Sequence, residues 1–231
     1  MKQPLALEEL EALRRLDAPL LANTIETFQA RLRNEGFMDG SVRCLFPQLP
    51  TMLGYAATIK IRGSAPPVAG SNYVEQTQWW DYIVSLPAPR VAVLQDVSSN
   101  PGLGSLVGEV HMNILRALYC VGVITNGSVR DLPAAARNAF SVFATSVAVS
   151  HTYTHIIEFG KPVEVGGLRI QSGDLLHGDM HGVQSIPLEI AALIPPAAAK
   201  ISAREQAIIA LCRSPEFSLE KLRATVGHEP I

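Results

Sequence analysis

The stretch that decides the fold is GEVHMNILRALYCVGVITNGSVRDLP, residues 108–133. Within it Val110, Ile114, Ala117 and Val121 recur at helical spacing, which predicts a helix over about 108–118. The following CVGVIT is too short for a helix and rich in β-branched residues, as a buried strand is. A short connection near Tyr119 to Gly122 makes the helix and strand antiparallel neighbours. The start of the helix and the end of the strand then share one edge of a sheet, where Glu109 can meet Arg130 and Asp131.

Such an edge has a chemistry of its own. First-turn amides after Gly108, at the positive end of the helix dipole, suit a carboxylate. Arg130 adds a planar fork that can hold a carboxylate or keto oxygen through two bonds. Asp131 and Glu109 offer hard oxygen ligands to a divalent cation such as Mg²⁺, which keeps several waters and accepts few protein carboxylates. A plainer reading fits the same residues: a surface ion pair, a turn that opens DLPAAAR as the next helix, and a first-turn acid favoured by the dipole. Spacing leaves both open. His111, in the same first turn, is either a proton shuttle near neutral pH or an exposed helical histidine.

Outward from this unit, short apolar or alternating runs cut by Gly and Pro predict strands: MLGYAATIKIRG, RVAVLQDV, SVFATSVAVS, THIIEFGKPVEVGGLRI and GVQSIP. A hairpin is expected at Gly166-Gly167. The segment SGDLLHGDMHGV has the Gly and Asp content of a turn between strands. Only the helix at 108–118 is expected between central strands, without a regular alternation of strand and helix. Amphipathic helices bracket the chain. LALEELEALRRL carries leucines at 7, 10, 13 and 16. LLANTIETFQARLRNEG has Asn23 or Thr24 as its expected N-cap and Gly36 as its stop. SAREQAIIALCRS and SLEKLRATVG are expected to open at Ser202 and Ser218. The organisation expected is one α/β domain over residues 1–231, with a core of about 20–195 and a helical C-terminal extension of about 200–228.

Composition narrows the partners. Hydrophobic residues make up 48% and charged residues 17% of the 231, enough apolar material for a core and against intrinsic disorder. A formal charge of -2 leaves no basic excess for phosphates, so nucleic acid is not expected. The opening MKQPLALEELEALRRLD never builds the apolar centre of a secretory signal, and no run reaches the roughly 18 apolar residues of a membrane span. A cytoplasmic location is the expectation. Cys44, Cys120 and Cys212 lack the spacing of a disulfide framework or a thiolate zinc site.

Three other motifs carry less. His151 and His155, and His177 and His181, share an H-x-x-x-H spacing that binds zinc on a helix. HTYTHIIEF is β-branched and aromatic, however, and a strand would hold such a pair about 13 Å apart. NPGLGSLVG lacks the third glycine of a dinucleotide loop and the Lys-Ser/Thr of a P-loop. Trp79-Trp80 reads as packing.

Gly108-Glu109, twenty intervening residues and Arg130-Asp131, within GVITNGSVRDLP, resemble the regulator of ribonuclease activity A-like family. That family includes the 4-hydroxy-4-methyl-2-oxoglutarate / 4-carboxy-4-hydroxy-2-oxoadipate aldolases. GYAATIKIRG resembles its early strand, and HTYTHIIEFGKPVEVGGLRIQSGDLLHGDMHGVQSIP its closing hairpins, so the likeness covers about 20–195. It implies a swivelling β/β/α-type fold, a homotrimer or homohexamer with sites near subunit boundaries, and a class II lyase. Such a lyase cleaves small oxo-acids or decarboxylates oxaloacetate with Mg²⁺, Mn²⁺ or another divalent cation. Carried over, Asp131 is the metal ligand, Arg130 holds the pyruvyl part, Glu109 acts through water, and the backbone of Gly108, Glu109, Val110 and His111 cradles carboxylate oxygens. Two positions depart from the aldolase pattern: Ala134 stands where Arg-Asp-x-x-Glu/Asp has its last acid, and Glu109 stands where Asp is expected. A non-catalytic regulator that docks on a partner enzyme is the alternative the family offers.

Overall fold

Two short helices open the described chain, which comprises residues 4–67 and 75–227 of the computed structural model. The first, α1 (Leu7–Arg14), buries Leu10 and Leu13. The second, α2 (Ala18–Thr27), is capped by Asp17, whose carboxylate accepts the Leu20 amide at 2.8 Å. Asn23 and Thr24 are therefore interior residues, because Asp17 with Pro19 just inside the helix makes the stronger start signal. The helix also ends well before Gly36: Gln29 enters the left-handed region at φ 53° and breaks it.

The chain then runs through β1 (Arg43–Cys44), β2 (Met52–Arg62), α3 (Gln76–Ser85), β3 (Arg90–Asp96), α4 (Glu109–Ala117), β4 (Cys120–Val129), α5 (Leu132–Arg137) and β5 (Ser141–Val147). Strands β2, β3, β4 and β5 are successive parallel neighbours. Three consecutive crossovers thus each carry a helix, a regular alternation that the sequence reading had not expected. α3 was missed because WWDYIVS is full of residues with strand propensity. Trp79, Ile83 and Leu86 nevertheless lie on one face, 1%, 0% and 4% exposed, and the burial of that face overrides propensity. The packing role expected of Trp79 is what its burial shows.

Antiparallel strands complete the sheet: β6 (His155–Phe159), the hairpin β7 (Val163–Val165) and β8 (Leu168–Ile170), then β9 (Leu175–Asp179) and β10 (Gly182–Ile186). The long β2 pairs with β9 through Met52–Tyr55 and with β6 through Ile59–Arg62. Gly166 and Gly167, at φ 55° and 71°, make the expected hairpin turn in a conformation few other residues tolerate. LLHGD, expected in a turn, is instead β9. Leu175, Leu176 and His177 are wholly buried there, so three consecutive residues contribute to the interior. The sheet is nearly closed: Phe37 bridges Gln184 of β10, and Arg43–Cys44 pair with β5 at the opposite edge.

Alternation along the strands divides the core. Val91, Val93, Ile124 and Phe143 face inward against the β7–β8 hairpin, whose Val163, Val165, Leu168 and Ile170 fill the interior. Ala92, Leu94, Val123 and Val142 face outward under Trp79, Ile83, Met112 and Leu115 of the crossover helices. At the chain ends, α1, α2 and the first turn of α6 (Ile194–Arg213) cover Leu53, Tyr55, Leu175 and Ile186. α6 begins with Pro195 and Pro196 in its first turn, so Ser202 is an interior residue and not its cap. Ser218 does cap α7 (Leu219–Val226), accepting the Lys221 amide at 3.2 Å. Among the described residues no helix is long and apolar enough to cross a membrane.

One buried cation fixes where α4 sits. Arg90, 7% exposed at the start of β3, donates to the carbonyls of Leu86 and Val84 at the end of α3 and of Leu118 at the end of α4. Orphan carbonyls at two negative helix ends thereby compensate the guanidinium. With its C-terminus clamped beneath β3, α4 runs back along the sheet and delivers its N-terminus to the carboxyl edge of the parallel strands. Ligands commonly bind at the carboxyl ends of parallel strands, in closed as in open sheets.

Candidate active site

The carboxyl end of β4 and the amino end of α4 meet, as the sequence spacing allows. Val107 and Val129 form an isolated parallel bridge, and the Arg130 amide donates to the Val107 carbonyl at 3.0 Å. Asp131 then turns the chain into α5 in the left-handed conformation, φ 57° and ψ 42°, which Asp tolerates better than most residues. In that pose its Oδ2 accepts the Glu109 amide at 2.8 Å. The carboxylate caps α4 across twenty-two positions of sequence.

Gly108 makes this approach possible. A Cβ there would lie 2.6 Å from Asp131 Oδ2 and 2.9 Å from Arg130 Nε, closer than real side chains come. Its backbone, φ -120°, is open to any residue, so the requirement for glycine is one of space.

Arg130 Nε is buried and has no hydrogen-bond partner. Asp131 Oδ2 lies 3.9 Å from it, a distance for Coulomb attraction and too long for a hydrogen bond. A buried guanidinium N–H without an acceptor is expensive, and a ligand oxygen would satisfy it. The side chains of Arg130 and Asp131 are 34% and 43% exposed, so the pair opens to solvent. His111 stands in the first turn of α4 with Nε2 buried and unpartnered. Desolvation, then the nearby Arg130 charge, push its pKa below the ordinary value and favour the neutral ring.

Two expectations shift. The Val110 side chain is 71% exposed, and α4 turns Met112 and Leu115 into the core, so the apolar stripe expected through Val110 and Ala117 is displaced around the helix. Of Val110, only its first-turn amide, which has no intrahelical acceptor, remains a candidate contact. The Glu109 carboxylate is paired with Arg137: Oε1 to Nη2 is 3.0 Å. The sequence reading had no role for Arg137; its signal was a cation closing the short helix that Asp131 opens. Ala134 is 2% exposed, so its Cβ points into the packed interior.

Asp96, within the expected strand RVAVLQDV, shapes the loop that leads to Gly108. It is 3% exposed at the tip of β3, where its carboxylate accepts the amides of Ser98 at 2.9 Å and Gly102 at 2.8 Å. The histidine pairs lie elsewhere. His151 is in the turn before β6 and His155 is in β6; His177 is inside β9, and His181 follows in the turn beside Asp179. Among the described residues no group of three or more His, Cys, Asp or Glu side chains could hold a metal ion.

Comparison with known proteins agrees with this architecture. A protein of Pseudomonas syringae pv. tomato has a crystal structure similar to this one, with TM-score 0.72 at 21% identity, covering 97% of each chain. The Streptomyces coelicolor protein RraAS2, described as an unusual member of the RNase ES inhibitor RraA family, superposes with TM-score 0.70 at 17% identity, covering 88% of this chain and 96% of that one. In sequence, the chain is 28% identical over 150 residues to a Halalkalibacterium halodurans protein named "Putative 4-hydroxy-4-methyl-2-oxoglutarate aldolase", covering 62% of this chain and 71% of that protein. The family model described as RraA-like, Aldolase/RraA, matches residues 16–184, and the chain belongs to that family.

Proposed function

We propose that the chain is a divalent-cation-dependent lyase for small oxo-acids. It cleaves a 4-hydroxy-2-oxo-dicarboxylate or tricarboxylate to pyruvate and a second oxo-acid, decarboxylates oxaloacetate, or does both. The observation that carries this reading is the Asp131 carboxylate bound to the Glu109 amide, with the unpaired Arg130 Nε beside it. The residues fit Mg²⁺, Mn²⁺ or another divalent cation. Asp131 offers a half-exposed carboxylate as a direct ligand, Glu109 a second one through water, and such ions take one or two protein carboxylates and keep their waters. When bound, the cation supplies Lewis-acid stabilisation of negative charge on a substrate oxygen.

The chain's own groups do the rest. Arg130 donates to the pyruvyl carboxylate or keto oxygen, filling its vacant hydrogen bond, and the amides of Val110 and His111 meet a carboxylate at the positive helix end. As the C3–C4 bond breaks, its electrons pass into the enolate of pyruvate, and Arg130 stabilises the charge that gathers on the enolate oxygen. The 4-hydroxyl loses its proton and becomes the carbonyl of the second product. Neutral His111, whose Nε2 has no other partner, accepts that proton and returns it to the enolate carbon. Decarboxylation of oxaloacetate uses the same enolate, with carbon dioxide leaving in place of the second oxo-acid.

The test is pyruvate release from oxaloacetate and from 4-hydroxy-4-methyl-2-oxoglutarate, with Mg²⁺ and with chelator, in the wild type and Asp131→Ala. Cation-dependent release that is lost in the variant supports the lyase; no turnover of any oxo-acid overturns it. A second reading, a non-catalytic regulator that docks on another protein, draws on Ala134, which offers no acid and faces the interior. Absent turnover together with unaltered partner binding in Asp131→Ala would favour it.

A further inference from the structure

Four charges gather where α4 meets the turn into α5: Glu109 and Asp131, Arg130 and Arg137. Their formal sum is zero, so the two carboxylates already have two guanidinium counter-charges. Arg130 is held at the end of β4. Arg137 differs: it closes α5, its side chain is 64% exposed, and it pairs with the Glu109 carboxylate. That pair begins a polar seam between the two helices, continued by Asn113, Asn138 and Arg116 at contacts of 3.4 Å. The seam thus has contacts besides the Glu109 pair, and an ion pair this exposed holds its members weakly.

We infer that Arg137 is a positioning residue that masks the cation site: its guanidinium occupies the Glu109 carboxylate, and an incoming hydrated divalent cation displaces it. This rests on the reading of Asp131 and Glu109 as a cation site. Affinity for such ions follows the net charge of the ligand set, and Arg137 lowers that charge by one unit. Displacement leaves the guanidinium swinging free at the mouth of the site. A masked Glu109 therefore makes cation occupancy sensitive to ionic strength as well as to cation concentration.

The experiment is calorimetric titration of the full-length protein with Mn²⁺ alone, at low and moderate salt. Arg137→Gln is expected to tighten binding roughly three- to tenfold at low salt, and Arg137→Lys, which keeps the charge, to stay within about twofold of wild type. In a Glu109→Gln background the Arg137→Gln gain should fall below about twofold, because the masked group is gone. Unchanged or weaker binding in Arg137→Gln, or the full gain persisting without Glu109, overturns the inference. Binding equal to wild type in Asp131→Asn is a separate outcome: it removes the cation site itself, and the masking role with it.

Discussion

The carboxylate of Asp131 accepts the backbone N–H of Glu109 at 2.8 Å, joining the end of a central strand to the start of the helix that precedes it. One side chain thus does two jobs: it caps α4, and it presents its remaining lone pairs to solvent beside Arg130. Substitutions can separate these jobs. Asp131→Asn keeps an acceptor oxygen and tolerates the left-handed backbone, but removes the charge. Cation-dependent pyruvate release should fall on the order of 100-fold or more, while stability measured by urea unfolding changes by less than about 1 kcal/mol. Asp131→Ala should lose activity equally and a further 2 kcal/mol or so of stability, from the missing cap and from the loss of the short polar side chain that makes φ 57° tolerable.

Gly108→Ala tests the close approach. The added methyl would meet Asp131 Oδ2 and the buried Arg130 Nε, whose side chains are 43% and 34% exposed and have room to swing outward, so the fold should survive. Displacing the two groups by an ångström or so is expected to cost on the order of 100-fold in kcat/KM, with the circular dichroism spectrum unchanged. Full activity in this variant would mean that neither group needs its present position.

The convergence of Gly108, Glu109, Arg130 and Asp131 was legible because it needs only a helix, a short turn and a strand, each with a clear period. So were most strands, whose β-branched runs are cut by Gly and Pro. What escaped were features decided by tertiary burial. α3 has strand-like composition but one buried face, and α6 passes through residues that look like a start signal at Ser202. Arg137 could not be paired with Glu109 from spacing, since that contact depends on how α5 leans on α4. His177 was hidden for the same reason: a polar residue in a Gly-rich run gives no sign that its strand is interior.

His177 makes the fold sensitive to acid. It is 0% exposed, its Nε2 lies 3.0 Å from the Leu16 carbonyl, and its Nδ1 is buried without a partner. Desolvation pushes its pKa below the ordinary value, against smaller opposing contributions from the Leu16 hydrogen bond, Asp179 and Asp17. The unfolded chain therefore takes up this proton at higher pH than the folded one, and stability declines as pH falls below about 6.5 toward the lowered folded value. His111, shifted in the same direction, adds to the slope. Thermal unfolding should show Tm decreasing from pH 7.5 to 5.5. His177→Gln, which keeps a donor for Leu16 and cannot titrate, should flatten the dependence. An equal slope in that variant would assign the effect to other groups.

An apolar surface flanks the site. Val147 and Val149 are 54% and 97% exposed, and Ala148 between them donates its amide to the Val129 carbonyl, one residue before Arg130. Tyr153, 59% exposed, follows in the adjoining turn. Large apolar side chains exposed together at a functional edge mark contact surfaces, and closed homo-oligomers are the commonest way a soluble chain covers one. Light scattering at micromolar concentration should give the mass of a trimer or hexamer. Val149→Asp places a charge where a neighbouring copy would have to desolvate it, so subunit affinity should weaken at least about tenfold. If the assembly closes the site, pyruvate release per chain falls in step with dissociation and recovers as protein concentration is raised. A wild-type monomer, or a Val149→Asp variant that dissociates yet keeps full turnover, would show instead that the site is complete within one chain.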